Sequence, residues 1–90
     1  MTKMKLWLLQ PVENLPDKYN PFEPWYDKAS GFVIRAETEK KARKIANKNG
    51  GDELGLDRKD KPWLDPKLTS CRELIPEGKE QLILKDFRAA

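Results

Sequence analysis

The sequence predicts an α+β domain: a small antiparallel sheet of about four strands, order β-β-α-β-β, with one helix packed on one face. Three observations carry this. Short apolar runs with two-residue alternation lie at both ends of the chain. One segment, residues 39–49, has helical spacing with start and stop signals. Between the first two strands lies a long stretch, residues 11–30, that holds four of the seven prolines and four of the eight aromatics. Proline fixes φ and removes a backbone donor, so neither a helix nor a central strand runs through that stretch.

Lys3-Met4-Lys5-Leu6-Trp7-Leu8-Leu9 reads as the first strand. Its apolar residues fall on both faces, which predicts a central strand covered on both sides and ended by Pro11. Gly31 opens the second strand, Phe32-Val33-Ile34-Arg35-Ala36, with Phe32, Ile34 and Ala36 facing the core and Val33 and Arg35 half wet. Thr38 is a natural N-cap, and Glu39 sits where the helix dipole favours an anion. Ala42, Ile45 and Ala46 form one narrow apolar stripe, and Asn49-Gly50-Gly51 stops the helix.

Residues 51–66 show no period; Leu54, Leu56, Trp63 and Leu64 are the expected core anchors. Thr69 to Ile75 reads as a third strand, Pro76-Glu77-Gly78-Lys79 as a hairpin loop, and Gln81 to Phe87 as a fourth strand. A single helix covers one sheet face. The Pro/aromatic loop is the expected lid for the other.

At 90 residues the chain is one domain, residues 1–90. It buries roughly 60–65% of its unfolded surface, enough for one modest core. Charged residues make up 37% and apolar ones 38%, so that core is economical. There is one cysteine, Cys71, and no histidine. An intramolecular disulfide, a cysteine-rich metal site and histidine-based acid–base catalysis are therefore excluded. Cys71 falls mid-strand and reads as a structural thiol. The acidic run Asp52, Glu53, Asp57, Asp60 lacks calcium-loop spacing and is interrupted by Arg58, Lys59 and Lys61. The chain thus reads as non-enzymatic, with no cofactor and no metal. No apolar run is long enough to span a membrane and no signal-peptide pattern is present, so a cytoplasmic protein is expected.

Two features carry functional weight. Residues 39–48 hold Lys40, Lys41, Arg43, Lys44 and Lys48 against Glu39 alone, whereas residues 13–28 and 52–65 are acidic on balance. Such polarity steers partners without naming them. It reads as a solvated helix face, or as a phosphate-contacting one. The second feature is the loop itself, with Leu15, Tyr19, Phe22, Trp25 and Tyr26. It either covers the core or offers aromatic anchors to a partner.

Several stretches together resemble a group of uncharacterised small proteins found in phages and bacterial mobile elements. They are Met4-Lys5-Leu6-Trp7-Leu8-Leu9, Asn20-Pro21-Phe22-Glu23-Pro24-Trp25-Tyr26-Asp27-Lys28, Gly31 through Glu39, Trp63-Leu64-Asp65-Pro66, Thr69-Ser70-Cys71 and Asp86-Phe87-Arg88-Ala89. The likeness spans nearly the whole chain, and the group has no established activity to transfer. The strand-Ala-Glu-Thr-helix order followed by a hairpin is similar in shape to small phage inhibitors of bacterial immunity, including some anti-CRISPR proteins. That resemblance implies a protein that occupies a surface on a larger host protein or ribonucleoprotein complex. Phe22, Trp25 and Tyr26 are then the expected apolar anchors, and Lys40, Lys44 and Lys48 the electrostatic rim. The alternatives are a nucleic-acid-binding accessory protein using helix 39–48, and a structural homo-oligomeric phage protein.

Overall fold

The computed structural model describes residues 3–13, 20–22, 27–55 and 57–85. It is an α+β fold with a three-stranded antiparallel sheet in the order β2-β1-β3 and one α-helix. Strand β1 (Lys5–Pro11) lies in the middle, between β2 (Phe32–Ala36) and β3 (Thr69–Leu74). Helix α1 (Glu39–Lys48) follows β2 directly, and two 3-10 turns, Asp52–Leu54 and Pro62–Leu64, lead into β3.

Register fixes the two faces of the sheet. Leu9 pairs with Phe32 and Cys71, and Trp7 with Ile34 and Glu73; these point toward α1. Leu8 pairs with Val33 and Arg72, and Leu6 with Arg35 and Leu74, on the opposite side. The first strand is central, as its two apolar faces require.

The core lies between sheet and helix and is built around Trp63, which is wholly buried. Phe22 and Phe32 meet it edge-on, at centroid distances of 5.5 and 4.8 Å, the geometry the ring quadrupole favours. Leu9, Ile34, Ala36, Ala42, Ala46 and Leu54 complete the cluster. Ala42 and Ala46 have no side chain beyond Cβ, so α1 sits close to the strands. The second 3-10 turn starts at Pro62, whose missing N–H costs nothing at a first helical position. It drives Trp63 inward and leaves Leu64 only partly covered, at 37% exposure, whereas both were expected as anchors. Leu56 lies outside the described residues.

Two buried charged side chains lock the irregular segments. Glu53, fully buried, accepts hydrogen bonds from Ala29 N (2.9 Å), Gly51 N (3.0 Å) and Trp63 Nε1 (2.7 Å). Gly51 comes so close to residue 27 that a Cβ there would stand 2.5 Å from the Asp27 carbonyl oxygen. The Asp52 N–H donates to that same oxygen at 2.8 Å. The end of the Pro/aromatic segment is thus tied to the 3-10 turns by backbone and carboxylate together.

Two expectations fail at the second sheet face. Among the described residues the sheet has three strands, not four, and residues 81–85 belong to none; Phe87 lies outside the described residues. Residues 75–85 form no hairpin with β3. They form a bent strap instead, with bends at Pro76 and at residues 78–80, and Arg72 Nη2 donates to the Ile83 carbonyl at 3.1 Å. Leu84 and Lys85 reach Leu8, Gly31 and Val33 across the sheet. This is the face that α1 leaves bare. Leu8 is only 2% exposed there, whereas Leu82, Ile83 and Leu84 are all exposed, so the strap lies beside that face without sealing it. The Pro/aromatic loop was the expected cover of this face; its residues 14–19 and 23–26 lie outside the described residues. Phe22, the one aromatic of that loop among the described residues, packs on the helix side against Trp63.

Candidate functional site: the basic ridge of helix α1

Helix α1 begins where Thr38 Oγ1 accepts from Lys41 N at 3.2 Å, one of the four donors a helix start leaves unmatched. It ends where the Asn49 N–H bonds to the Ala46 carbonyl and Asn49 Nδ2 to the Ile45 carbonyl at 2.8 Å. Beyond it, Arg58 Nη2 donates to the Gly50 carbonyl at 3.2 Å. Arg58 has φ 54, a conformation few non-glycine residues adopt, and it sets a further cation just past the C-terminal end.

The five cations of the helix divide into two sets. Arg43 is not part of the solvated circumference, as its place in a basic run implied; it is buried. Its Nε donates to Glu39 Oε2 at 2.8 Å. Nη1 donates to the Trp63 carbonyl at 3.0 Å and to Thr69 Oγ1 at 2.9 Å, and Nη2 to the Thr69 carbonyl at 3.0 Å. This planar fork fixes α1 to the start of β3 and to the Trp63 turn. Ile45, expected on the buried stripe, stands outward in its place at 41% exposure. Lys41 Nζ pairs with Glu37 Oε2 at 3.0 Å.

Lys40, Lys44 and Lys48 remain. All three are exposed, and among the described residues none has an ion-pair partner, because Glu37 and Glu39 are engaged by Lys41 and Arg43. They recur every fourth residue, so their Cα atoms rise about 6 Å apart along one side of the helix. The result is a ridge of three uncompensated positive charges on a rigid element.

The aromatic anchors fare differently. Phe22 is 5% exposed, its N–H bonds to Asn20 Oδ1 at 2.9 Å, and its carbonyl accepts from Lys28 Nζ at 2.6 Å. It is a core residue, closed to a partner while the fold is intact, so that assignment is corrected. Leu15, Tyr19, Trp25 and Tyr26 lie outside the described residues.

Two open depressions flank these elements. One, about 650 Å³, is bounded by Asn20, Pro21, Asp60, Lys61, Leu64 and Pro66. The other, about 210 Å³, lies between the start of β2 and Leu84 of the strap. Cys71 is half-buried; burial and then the Glu39 carboxylate push its thiol above 9.0, against a smaller opposing effect of Arg43. It is held as a thiol, a weak nucleophile at neutral pH. Among the described residues no group of three potential metal ligands occurs, and no helix is long and apolar enough to cross a membrane.

What sequence reasoning missed was Arg43 and Glu53, both absorbed into charge runs. For Arg43 the available signal was Glu39, four residues before it, on the side next to Ala46. Comparison with family models, with curated proteins and with solved structures finds no match for this chain.

Proposed function

We propose that this chain is a non-enzymatic binding protein that docks through Lys40, Lys44 and Lys48 on an acidic surface of a larger macromolecule and blocks it sterically. The observation that carries the reading is the partition of charge on α1. Each neighbouring carboxylate is used by Lys41 or Arg43, so the three ridge lysines serve nothing within the described fold. Like charges four residues apart weaken a helix slightly. A ridge kept at that cost is best matched by negative charge from outside. Exposed charges of this kind mainly raise the association rate and its salt sensitivity. Arg58, beyond the last turn, lengthens the basic strip.

The likeness to phage and mobile-element proteins gives the reading its direction: the target is a host protein or ribonucleoprotein complex in the host cytosol, an anti-defence role. Trp25 and Tyr26 remain the proposed apolar anchors, without Phe22. A second reading, direct nucleic-acid binding, draws on the roughly 6 Å repeat of the ridge, since one strand of a duplex presents regularly spaced phosphates.

The test is affinity capture from the native host with the wild type and a Lys40→Gln/Lys44→Gln/Lys48→Gln variant. The variant keeps its helical signal by circular dichroism and loses the partner. Equal capture by both proteins rejects the ridge. For the second reading, a gel shift on duplex DNA or RNA at low salt is expected, and the salt slope falls by about 2–3 in the variant. No shift for the wild type rejects it.

A further inference from the structure

The outer edge of β2 is a separate surface, independent of the lysine ridge. Strand β2 pairs with β1 on one side, and among the described residues nothing pairs with it on the other. An open edge offers unpaired N–H and C=O groups to any extended chain. Proteins usually blunt such edges with proline, lysine or a bulge. Phe32-Val33-Ile34-Arg35-Ala36 has no proline, lysine or bulge and carries one charge, Arg35, and its Phe, Val and Ile favour strand.

Apolar side chains stand at this edge on both sides of the sheet, with Arg35 and Lys85 among them on the strap side. On the strap side stand Val33, 56% exposed, and Leu84, which borders the same depression. On the helix side stands Ile45. Arg43 reaches across to Thr69 of β3, and Ile45 lies about 200° further round the helix. Ile45 therefore occupies the flank of α1 turned away from β3, which in the order β2-β1-β3 is the flank over β2. A solvated helix face has no need of an isoleucine there.

We infer that this edge is a homodimer interface, in which β2 pairs antiparallel with β2 of a second copy about a two-fold axis at Ile34, making one six-stranded sheet. The sequence of β2 is self-complementary in that register. Ile34 meets its own copy, Phe32 meets Ala36, and Arg35 lies opposite Val33, so no like charges face each other. Moving the axis to Arg35 would set two guanidiniums together, and moving it to Val33 would shorten the overlap. A two-fold interface of this kind uses the same patch on both copies and closes the β2 edge, leaving β3 at the two outer edges of the sheet. Strands stand about 4.8 Å apart, so a helix seated over β1 and β2 comes within about 10 Å of its mate. Ile45 then packs on Ile45 of the second copy. An extended segment of a foreign protein is the rival occupant of the same edge.

The test is light scattering of the whole chain at about 0.1 mM and about 1 µM, a range that brackets a micromolar dimer. Wild type is expected at twice 10.5 kDa at the higher concentration and to dissociate on dilution. Val33→Lys places a lysine opposite Arg35 of the second copy, twice per dimer, and raises the dissociation constant about tenfold or more. Adding Arg35→Glu to that variant pairs the charges and restores the dimer. A double variant that regains the wild-type mass establishes that the lone substitution did not act by unfolding. A wild type that stays at 10.5 kDa at both concentrations overturns the inference. So does a dimer indifferent to Val33→Lys, and so does a double variant that stays monomeric while circular dichroism reports it folded.

Discussion

Arg43 and Ile45 flank the Ala42–Ala46 ridge at equal angles of about 60°, one on each side. Hydropathy assigns Ile45 to the core and Arg43 to water, and the protein does the reverse. The reason is local. The C-terminal turn of the Trp63 segment and the start of β3 present two carbonyls and a hydroxyl that need donors, and a guanidinium supplies them in one plane. Arg43→Lys keeps the charge but not the fork, and should cost about 2–3 kcal/mol in urea unfolding. A loss below about 0.5 kcal/mol would mean that those bonds contribute nothing net. Glu53 follows the same logic with the sign reversed, since three N–H donors converge on a carboxylate sealed from water. Glu53→Gln turns one acceptor into a donor facing donors, and a comparable destabilisation is expected in the same assay. Both sit inside charge runs that read as solvated surface, and only Arg43 had a signal in the sequence, the Glu39 four residues before it. Cys71 adds a pH dependence. The unfolded thiol releases its proton near 9.0 and the folded one at higher pH. The native state therefore binds the extra proton across that window, and stability falls as pH rises from about 9 toward the folded value. Cys71→Ser should flatten that alkaline decline, as followed by urea midpoints at pH 8 and 10.

At the scale of elements, the helix and the first three strands were legible because each has a period and a stop. Thr38, Glu39 and the Asn49-Gly50-Gly51 end mark α1, and alternation marks β2. The fourth strand failed for a reason that periodicity cannot contain. Leu82 and Leu84 alternate with Ile83 and Lys85 as a strand should, yet a segment's apolar pattern does not say whether it will pair at an edge or cover a face. The sheet already had a bare face over Leu6 and Leu8, with one helix to spend on the other side. Residues 81–85 lie alongside that face and join neither edge. The consequence is measurable by amide hydrogen exchange. Backbone groups of residues 81–85 should exchange orders of magnitude faster than those of β1, which is bonded on both sides. Protection of residues 81–85 equal to that of β1 would restore the fourth strand.

For the whole molecule, the candidate site was legible as charge and illegible as geometry. The run of lysines in residues 39–48 announced a basic element, but only the pairings of Lys41 and Arg43 separate Lys40, Lys44 and Lys48 from the rest. The aromatic half of the expected site was split by the core, which takes Phe22 because a domain of 90 residues has few large apolar groups to fill the space beside Trp63. The ridge makes a prediction in which stability and binding move in opposite directions. Lys44→Glu replaces two like-charge neighbours by two opposite ones, Lys40 four residues before and Lys48 four residues after. Such pairs stabilise a helix by about 0.2–0.5 kcal/mol each, and the relieved repulsions add similar amounts. The variant should therefore be more stable to urea than the wild type, by roughly 0.8–2 kcal/mol. The same change cuts the middle of the ridge, so association with the acidic partner should slow and lose salt sensitivity. A residue whose replacement improves the fold and impairs docking is there for the partner. If Lys44→Glu instead leaves the association rate and its salt dependence untouched, the ridge is an ordinary wet helix face and the docking surface lies elsewhere.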